Sequence, residues 1–212
     1  MNIAIRLFCT CVYCTLIASS YAQTNDPASV LSRLDKSISK VHSLETDFVQ
    51  EKDFKVFKNK LILHGKVYMK KPDLFAWHLY EPIKFRMVLD GKRMLQWDEE
   101  SDEVQKVNLG SNPAFQVATQ QMSQWFSGNY SSLQSEYDLS ILSTKPLVLK
   151  FVPMKKSMIR NFIDSVTVTF RQDERYTQSV RIVEKGGDST LLIFKNTTLN
   201  SKINDDAWKV KP

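Results

Sequence analysis

The residues from Gly65 to Pro82, GKVYMKKPDLFAWHLYEP, decide the fold because they hold two alternating patterns separated by a Lys-Pro corner. Such alternation is typical of half-buried antiparallel strands. Pro72 cannot donate to a strand ladder, so the first strand is expected to end there. Phe75, Trp77 and Leu79 then predict a second strand with an apolar face. The first pattern places Leu61, Leu63, Gly65, Val67 and Met69 on one side and Lys60, His64, Lys66 and Lys70 on the other.

The N-terminal residues have the composition of a secretory signal peptide. Arg6 provides the positive charge, an apolar stretch runs from Leu7 to Ile17, and Ser20 and Ala22 suit a cleavage site. An apolar stretch of about eleven residues is too short to remain as a transmembrane anchor. We therefore expect residues 1–22 to be a cleaved leader and residues 23–212 to form one soluble domain.

All three cysteines, Cys9, Cys11 and Cys14, lie inside this leader. The Cys-x-x-Cys spacing at residues 11–14 is therefore interpreted as apolar filler and not as a redox or metal motif. A mature chain without cysteine excludes disulfides and thiol chemistry.

The net charge of +6 favours anionic surfaces but does not prove one. The basic residues form clusters, which are either solvated strand edges and loops or a binding patch. These clusters are Lys55, Lys58 and Lys60, then Lys70 and Lys71, and finally Lys155, Lys156 and Arg160.

Two amphipathic helices are predicted. The first begins at Asp26 and Pro27, an N-cap followed by a first-turn proline, and carries an apolar stripe formed by Val30, Leu31, Leu34, Ile38 and Val41. The second is expected from Asn112 to Gly128, with a bulky stripe formed by Phe115, Ala118, Met122, Trp125 and Phe126.

Strand patterns occupy most of the remaining chain, and Asp90-Gly91 is a strong hairpin signal. The strands are expected at 44–56, 59–70, 74–80, 84–90, 93–98, 103–108, 137–143, 147–152, 164–171, 176–185 and 189–198. Together they predict a mainly β protein with some α structure, in which helices cover the apolar face of one curved antiparallel sheet. Periodicity alone does not separate a packed core from a lid over a cavity.

No motif of a hydrolase elbow, a dinucleotide turn, a phosphate loop or a zinc helix occurs in the chain. The dispersed histidines His42, His64 and His78 are expected at surface or strand positions, and the acidic run from Asp98 to Glu103 at a solvated hairpin tip. We predict no catalytic residue, no metal, no cofactor and no enzymatic activity, and no binding to nucleic acid.

Several weak motifs in order resemble the LolA superfamily of periplasmic lipoprotein carriers. The corner residues Lys71, Pro72, Phe75 and Trp77 match its Arg-Pro-x-x-Phe-x-Trp pattern apart from the charged position. Further likenesses are the Phe-x-Gln of residues 48–50, the Asp-Gly-Lys of residues 90–92, and Asn112, Pro113 and Phe115. The resemblance implies an unclosed antiparallel half-barrel whose concave apolar face is covered by helices.

The resemblance also implies a function. A monomeric periplasmic protein would shield the acyl chains of a lipidated protein or glycolipid in a hydrophobic cavity. It would receive them from an inner-membrane ABC transporter or other lipid exporter and pass them to an outer-membrane receptor. The candidate lining residues are Phe48, Leu63, Val67, Met69, Phe75, Trp77, Leu89, Met122, Trp125 and Phe126.

Two departures from the family pattern weaken general lipoprotein delivery relative to carriage of another lipid. Lys71 stands where the family has an arginine that fastens the helical lid, and a lysine offers a point charge without the planar fork. The chain also ends at Pro212, and we expect it to lack the longer C-terminal segment of the housekeeping carrier. The rival hypothesis is a periplasmic domain that senses lipid or lipoprotein and acts through a protein partner.

Overall fold

Eleven strands and one α-helix make up the regular structure of residues 26–90, 93–107 and 128–212, which the computed structural model describes. The helix α1 spans Pro27–Ile38. The strands are β1 (Ser43–Asp53), β2 (Leu61–Lys70), β3 (Leu74–Glu81), β4 (Phe85–Asp90), β5 (Arg93–Asp98), β6 (Val104–Val107), β7 (Tyr137–Thr144), β8 (Leu147–Pro153), β9 (Ile163–Phe170), β10 (Thr177–Glu184) and β11 (Ser189–Leu199). Short 3-10 helices occupy Ser131–Ser135, Met158–Asn161 and Asp205–Trp208.

All strands belong to one antiparallel sheet in the order β6-β5-β4-β3-β2-β1-β11-β10-β9-β8-β7. Two runs of sequential hairpins, β1–β6 and β7–β11, are joined where β1 pairs with β11 and Phe48 lies opposite Phe194. The outermost strands β6 and β7 do not pair, so the sheet is unclosed. The predicted fold class is confirmed.

The helix α1 begins as its sequence predicts. The Asp26 side chain accepts a hydrogen bond from the Ser29 amide at 3.2 Å, and Pro27 occupies the first turn, where its missing N–H costs nothing. The predicted stripe is buried, with Leu31 and Leu34 fully so. The second predicted helix lies outside the described residues, apart from Gly128 at its end, whose φ is +78°.

Each predicted strand is present, with ends that differ by a few residues. The first strand ends at Asp53 and not at residue 56 because the chain turns there, with the Phe57 amide donating to the Phe54 carbonyl. Leu61 belongs to the apolar side of β2 but is 41% exposed, since it is the first residue of the strand. Asp90 lies opposite Arg93, the register expected of a two-residue hairpin loop.

Residues 200–211, which we call the C-terminal strap, cross one face of β2 to β5. This is the face that carries Tyr68 and Arg86. Trp208 packs edge-on against Tyr68, and the Arg86 guanidinium donates to the Lys209 carbonyl at 3.3 Å. At its end the Lys211 ammonium lies 2.9 Å from the Asp102 carboxylate. Ile203 and Ala207 of the strap are buried. The strap therefore covers this face of the sheet across β2 to β5.

Candidate functional site

One face of the sheet is apolar across β1 to β4. Strand alternation and register bring seven of the predicted lining residues onto it, since Val67 pairs with Trp77, and Phe75 pairs with both Met69 and Leu89. All seven belong to one hydrophobic cluster, in which six are buried and Leu89 is partly exposed. They are Phe48, Leu63, Val67, Met69, Phe75, Trp77 and Leu89, and we call this surface the apolar face. Met122, Trp125 and Phe126 lie outside the described residues.

The apolar face is built around a glycine. Gly65 lies opposite Phe48 in the β1–β2 register, and the Phe48 ring packs against Trp77 with centroids 4.0 Å apart and the ring planes tilted by 37°. A Cβ atom at Gly65 would come within 2.4 Å of the Phe48 ring and 2.2 Å of the His78 carbonyl oxygen. The absence of a side chain therefore allows the two aromatic rings to meet above the strand. The sequence places Gly65 on this face but does not reveal that role.

The helix α1 lies in the same hydrophobic cluster through its buried stripe. The cluster continues across β8 to β11, so the apolar surface extends beyond the predicted residues. The main additional members are Leu149, Phe151, Val166, Val168, Val180, Leu192 and Phe194. An amphipathic helix thus covers part of a continuous apolar surface on the sheet.

Polar contacts fasten α1 at its C-terminal end. The Lys71 ammonium donates to the carbonyl oxygen of Ile38, the last residue of the helix, at 3.1 Å. A cation suits this position because helix carbonyls at the C-terminus carry partial negative charge and lack helical partners. Burial lowers the pKa of Lys71. This contact joins the Lys-Pro corner to α1.

Two further contacts fasten the middle of α1, and the sequence does not predict them. The Arg33 guanidinium binds the Glu174 carboxylate through two bonds of 2.8 and 2.9 Å. The Asp35 carboxylate accepts from the backbone amides of Tyr130 and Ser131 at 2.7 and 3.2 Å. No local pattern reveals these pairs because their partners are distant along the chain.

The histidine positions agree with the expectation of surface or strand sites, yet His78 is buried. His42 and His64 are exposed, whereas His78 is 3% exposed between β3 and the C-terminal strap. Its Nε2 atom has no hydrogen-bond partner in the part of the chain described. Burial, and then the positive charge of Arg86, lower the pKa of His78 to about 4 against an opposing hydrogen bond with the Ala207 backbone.

The acidic run forms the tip between β5 and β6, as predicted. Asp98 accepts from the amide and hydroxyl of Ser101, both at 2.9 Å, and these bonds lower its pKa. Asp102 accepts from the Trp97 indole at 3.0 Å. Across the described ranges, no three His, Cys, Asp or Glu side chains gather in a way that could hold a metal ion. The helices in those ranges include none long and apolar enough to cross a membrane.

Comparison with known proteins identifies relatives over most of the chain. The family described as outer membrane lipoprotein carrier protein LolA matches residues 39–211. The outer-membrane lipoprotein carrier protein of Pseudomonas putida strain KT2440 is 24% identical over 210 residues, which are 97% of this chain and 93% of the relative.

Solved structures show the same fold. MucB, at 15% identity, superposes with a TM-score of 0.53 over 86% of this chain and 62% of its own. The MucA/MucB complex of Pseudomonas aeruginosa gives 0.52 at 14% identity, over 86% of this chain and 60% of the other. The family match begins at Ser39, directly after α1, and ends at Lys211 in the C-terminal strap. It therefore includes the sheet, the apolar face and the Lys-Pro corner. The chain belongs to the LolA family of outer membrane lipoprotein carrier proteins.

Proposed function

We propose that this protein is a periplasmic carrier that shields the acyl chains of lipoproteins, or of a related lipid, and passes them from the inner to the outer membrane. The observation that carries the proposal is the apolar face, which forms one hydrophobic cluster with the buried stripe of an amphipathic helix that polar contacts hold in place. Family membership and the carrier names of the relatives support it.

The energetics suit a carrier that both holds and releases its cargo. Each buried methylene contributes about 0.8 kcal/mol, so a partly enclosed acyl chain is held firmly in water. Loading requires α1 to move, and the closed packing of Leu31 and Leu34 is then exchanged for contact with the ligand. The net affinity stays moderate because one apolar contact replaces another.

The proposed route requires two membrane partners. A lipidated protein or a glycolipid is taken from an inner-membrane ABC transporter or other lipid exporter and given to an outer-membrane receptor. The leader at residues 1–22 brings the carrier to the periplasm in this proposal.

A direct test measures binding of a fluorescent diacylated lipopeptide against the same peptide without acyl chains. Leu89→Glu places a charge on the partly exposed margin of the apolar face and should weaken lipopeptide binding at least about tenfold, since burying a carboxylate is costly. Leu142→Glu is the matched control, because Leu142 is 57% exposed on β7. Equal binding of both peptides by a folded protein, shown by circular dichroism, would argue decisively against carriage.

A second candidate is a periplasmic domain that senses lipid or lipoprotein and acts through a protein partner. The fold shared with MucB, whose structure in complex with MucA is solved, favours this candidate. Cross-linking in the native host distinguishes the two. Recovery of an inner-membrane transporter and an outer-membrane receptor supports the carrier, whereas recovery of one signalling protein supports the sensor.

A further inference from the structure

The sheet topology brings two distant basic clusters to one end of the molecule. The β1–β2 loop holds Lys55 and Lys58, and the β8–β9 connection holds Lys155, Lys156 and Arg160. Both connections lie at the end of the sheet where Asp53 pairs with Ser189, Glu184 with Ile163, and Pro153 with Tyr137. We call residues 54–60, 154–162 and 185–188 at this end the basic rim.

The β10–β11 turn connects the two clusters. Its Lys185 amide donates to the Phe162 carbonyl at 2.9 Å, and its Asp188 carboxylate accepts from the Lys55 amide at 3.0 Å. Three strand spacings, or about 14 Å, separate β1 from β9. The three connections therefore form one continuous surface.

Most cations of the basic rim have no acidic partner. Lys60 pairs with Glu51 at 3.2 Å and Lys185 with Asp164 at 2.6 Å. Within the described chain no ion pair engages the remaining five, and all five are exposed. These are Lys55, Lys58, Lys155, Lys156 and Arg160. Positive charge that the fold does not neutralise is available to an anionic partner.

Large apolar side chains project from the same loops. Val56 is 84% exposed, Phe57 66% and Met158 65%, the highest values among the exposed large hydrophobic residues. Lys55 and Lys58 flank Val56 and Phe57, and Lys156 and Arg160 lie two residues before and after Met158. Exposed apolar groups among lysines are typical of protein surfaces that enter the headgroup region of a bilayer, where the cations meet anionic lipids.

The same end of the sheet is acidic on the other side of β1, toward β5 and β6. The β5–β6 connection carries Glu99, Glu100 and Glu103, about 19 Å from β1 at four strand spacings. Charge is therefore divided across this end, so only the half formed by the basic rim complements an anionic surface.

We propose that the basic rim docks this protein onto the surface of a bilayer containing anionic phospholipid, with Val56, Phe57 and Met158 entering the headgroup region. A bilayer fits better than an acidic protein, because the exposed apolar side chains lie on two separate connections, β1–β2 and β8–β9, among cations that have no acidic partner within the residues described. This inference goes beyond acyl-chain carriage and does not depend on it, since the rim is distinct from the apolar face.

Vesicle flotation of the purified protein tests the proposal. Binding is expected with phosphatidylcholine vesicles containing phosphatidylglycerol, weaker binding with phosphatidylcholine alone, and release as sodium chloride is raised. Neutralising four rim lysines in K55Q/K58Q/K155Q/K156Q should lower the membrane–water partition coefficient of the protein at least about tenfold. Each cation near an anionic membrane surface strengthens binding to that surface. The control K40Q/K70Q/K106Q/K202Q removes the same charge from exposed sites outside the basic rim and α1.

Phe57→Ser tests the apolar contribution and should weaken binding roughly tenfold, since Phe57 is exposed and its loss spares the core. Acyl-probe uptake should stay unchanged in all these variants, which separates docking from carriage. Equal flotation of the two quadruple variants would overturn the proposal. The proposal would also be overturned if the protein did not float with vesicles but was retained on immobilised polyglutamate. That result would assign the basic rim to binding of an acidic protein.

Discussion

Gly65 determines the local shape of the apolar face through what it lacks. The β1–β2 register sets it opposite Phe48, and the ring occupies the space that a side chain would fill. The rings of Phe48 and Trp77 consequently pack against each other across β2, which lies between their strands. Aromatic pairs of this kind contribute about 0.5–1.5 kcal/mol beyond the area they bury.

Replacing Gly65 with alanine should destabilise the protein by about 1–3 kcal/mol, because the new methyl group would overlap the Phe48 ring and a backbone carbonyl. Urea unfolding followed by tryptophan fluorescence measures the change. Gly186→Ala is the control, since a Cβ atom there meets nothing within 4 Å. Equal stability of the two variants would contradict this account of the apolar face.

His78 should make stability depend on pH. Its folded-state pKa of about 4 lies below the unfolded value of 6.5, so between these limits the unfolded chain binds more protons. Stability should therefore fall as the pH drops from 6.5 to 4, by at most about 3 kcal/mol from this residue.

Urea unfolding at pH 7 and pH 4.5 tests this dependence. His78→Phe should flatten the pH profile in this window, whereas His64→Gln, at an exposed strand position, should leave it as in the parent protein. A profile that His78→Phe does not alter would show that other groups control acid stability.

At the scale of elements, α1 combines a buried apolar stripe with polar contacts in its middle and at its C-terminal end. The stripe contributes burial, and the contacts of Lys71, Arg33 and Asp35 fix where the helix lies. These polar groups are partly exposed, so each contributes modestly to stability. We expect the helix to detach at a smaller cost in free energy than unfolding of the sheet.

Lys71→Ala should loosen the last turn of α1, because the Ile38 carbonyl loses its charged donor. A net contribution of about 1 kcal/mol corresponds to roughly fivefold faster amide exchange there. Hydrogen–deuterium exchange with mass spectrometry measures the effect, with the exposed neighbour Lys70→Ala as the matched control. Identical exchange in both variants would exclude Lys71 as a fastener.

The strands and α1 are predictable because their signals are local. Alternation marks each strand and its inward side, and the Asp26-Pro27 start marks the helix. The polar contacts that hold α1 in place are not predictable from sequence. Arg33 and Glu174, for example, are 141 residues apart and meet only because of the sheet topology. Alternation predicts a strand position for His78, but the burial of His78 depends on the C-terminal strap, whose course no periodicity predicts.

For the whole molecule, the C-terminal strap covers the face of β2 to β5 that lies opposite the apolar face. Ala76 and Val88 point to this side by strand alternation, and both are buried. Ile203 of the strap is also buried, with 7% of its surface exposed. The strap therefore contributes to the stability of strands far from it in sequence.

Ile203→Ala should lower the free energy of unfolding by about 2 kcal/mol or more, as is usual for truncating a buried isoleucine. Ile83→Ala should change it by less than about 0.5 kcal/mol, because Ile83 is 53% exposed. Thermal and urea unfolding of both variants provide the comparison. Equal free energies of unfolding for the two alanine variants would show that the strap does not contribute to stability.

The pairing of β1 with β11 at the centre of the sheet has a consequence for biogenesis. The first strand to be synthesised must wait for the last, because Phe48 meets Phe194 only when nearly the whole chain exists. Until then the nascent protein presents an open central edge, a template for aggregation. Such long-range closure also slows folding. Productive folding in the cell should therefore require a holding chaperone until β11 arrives.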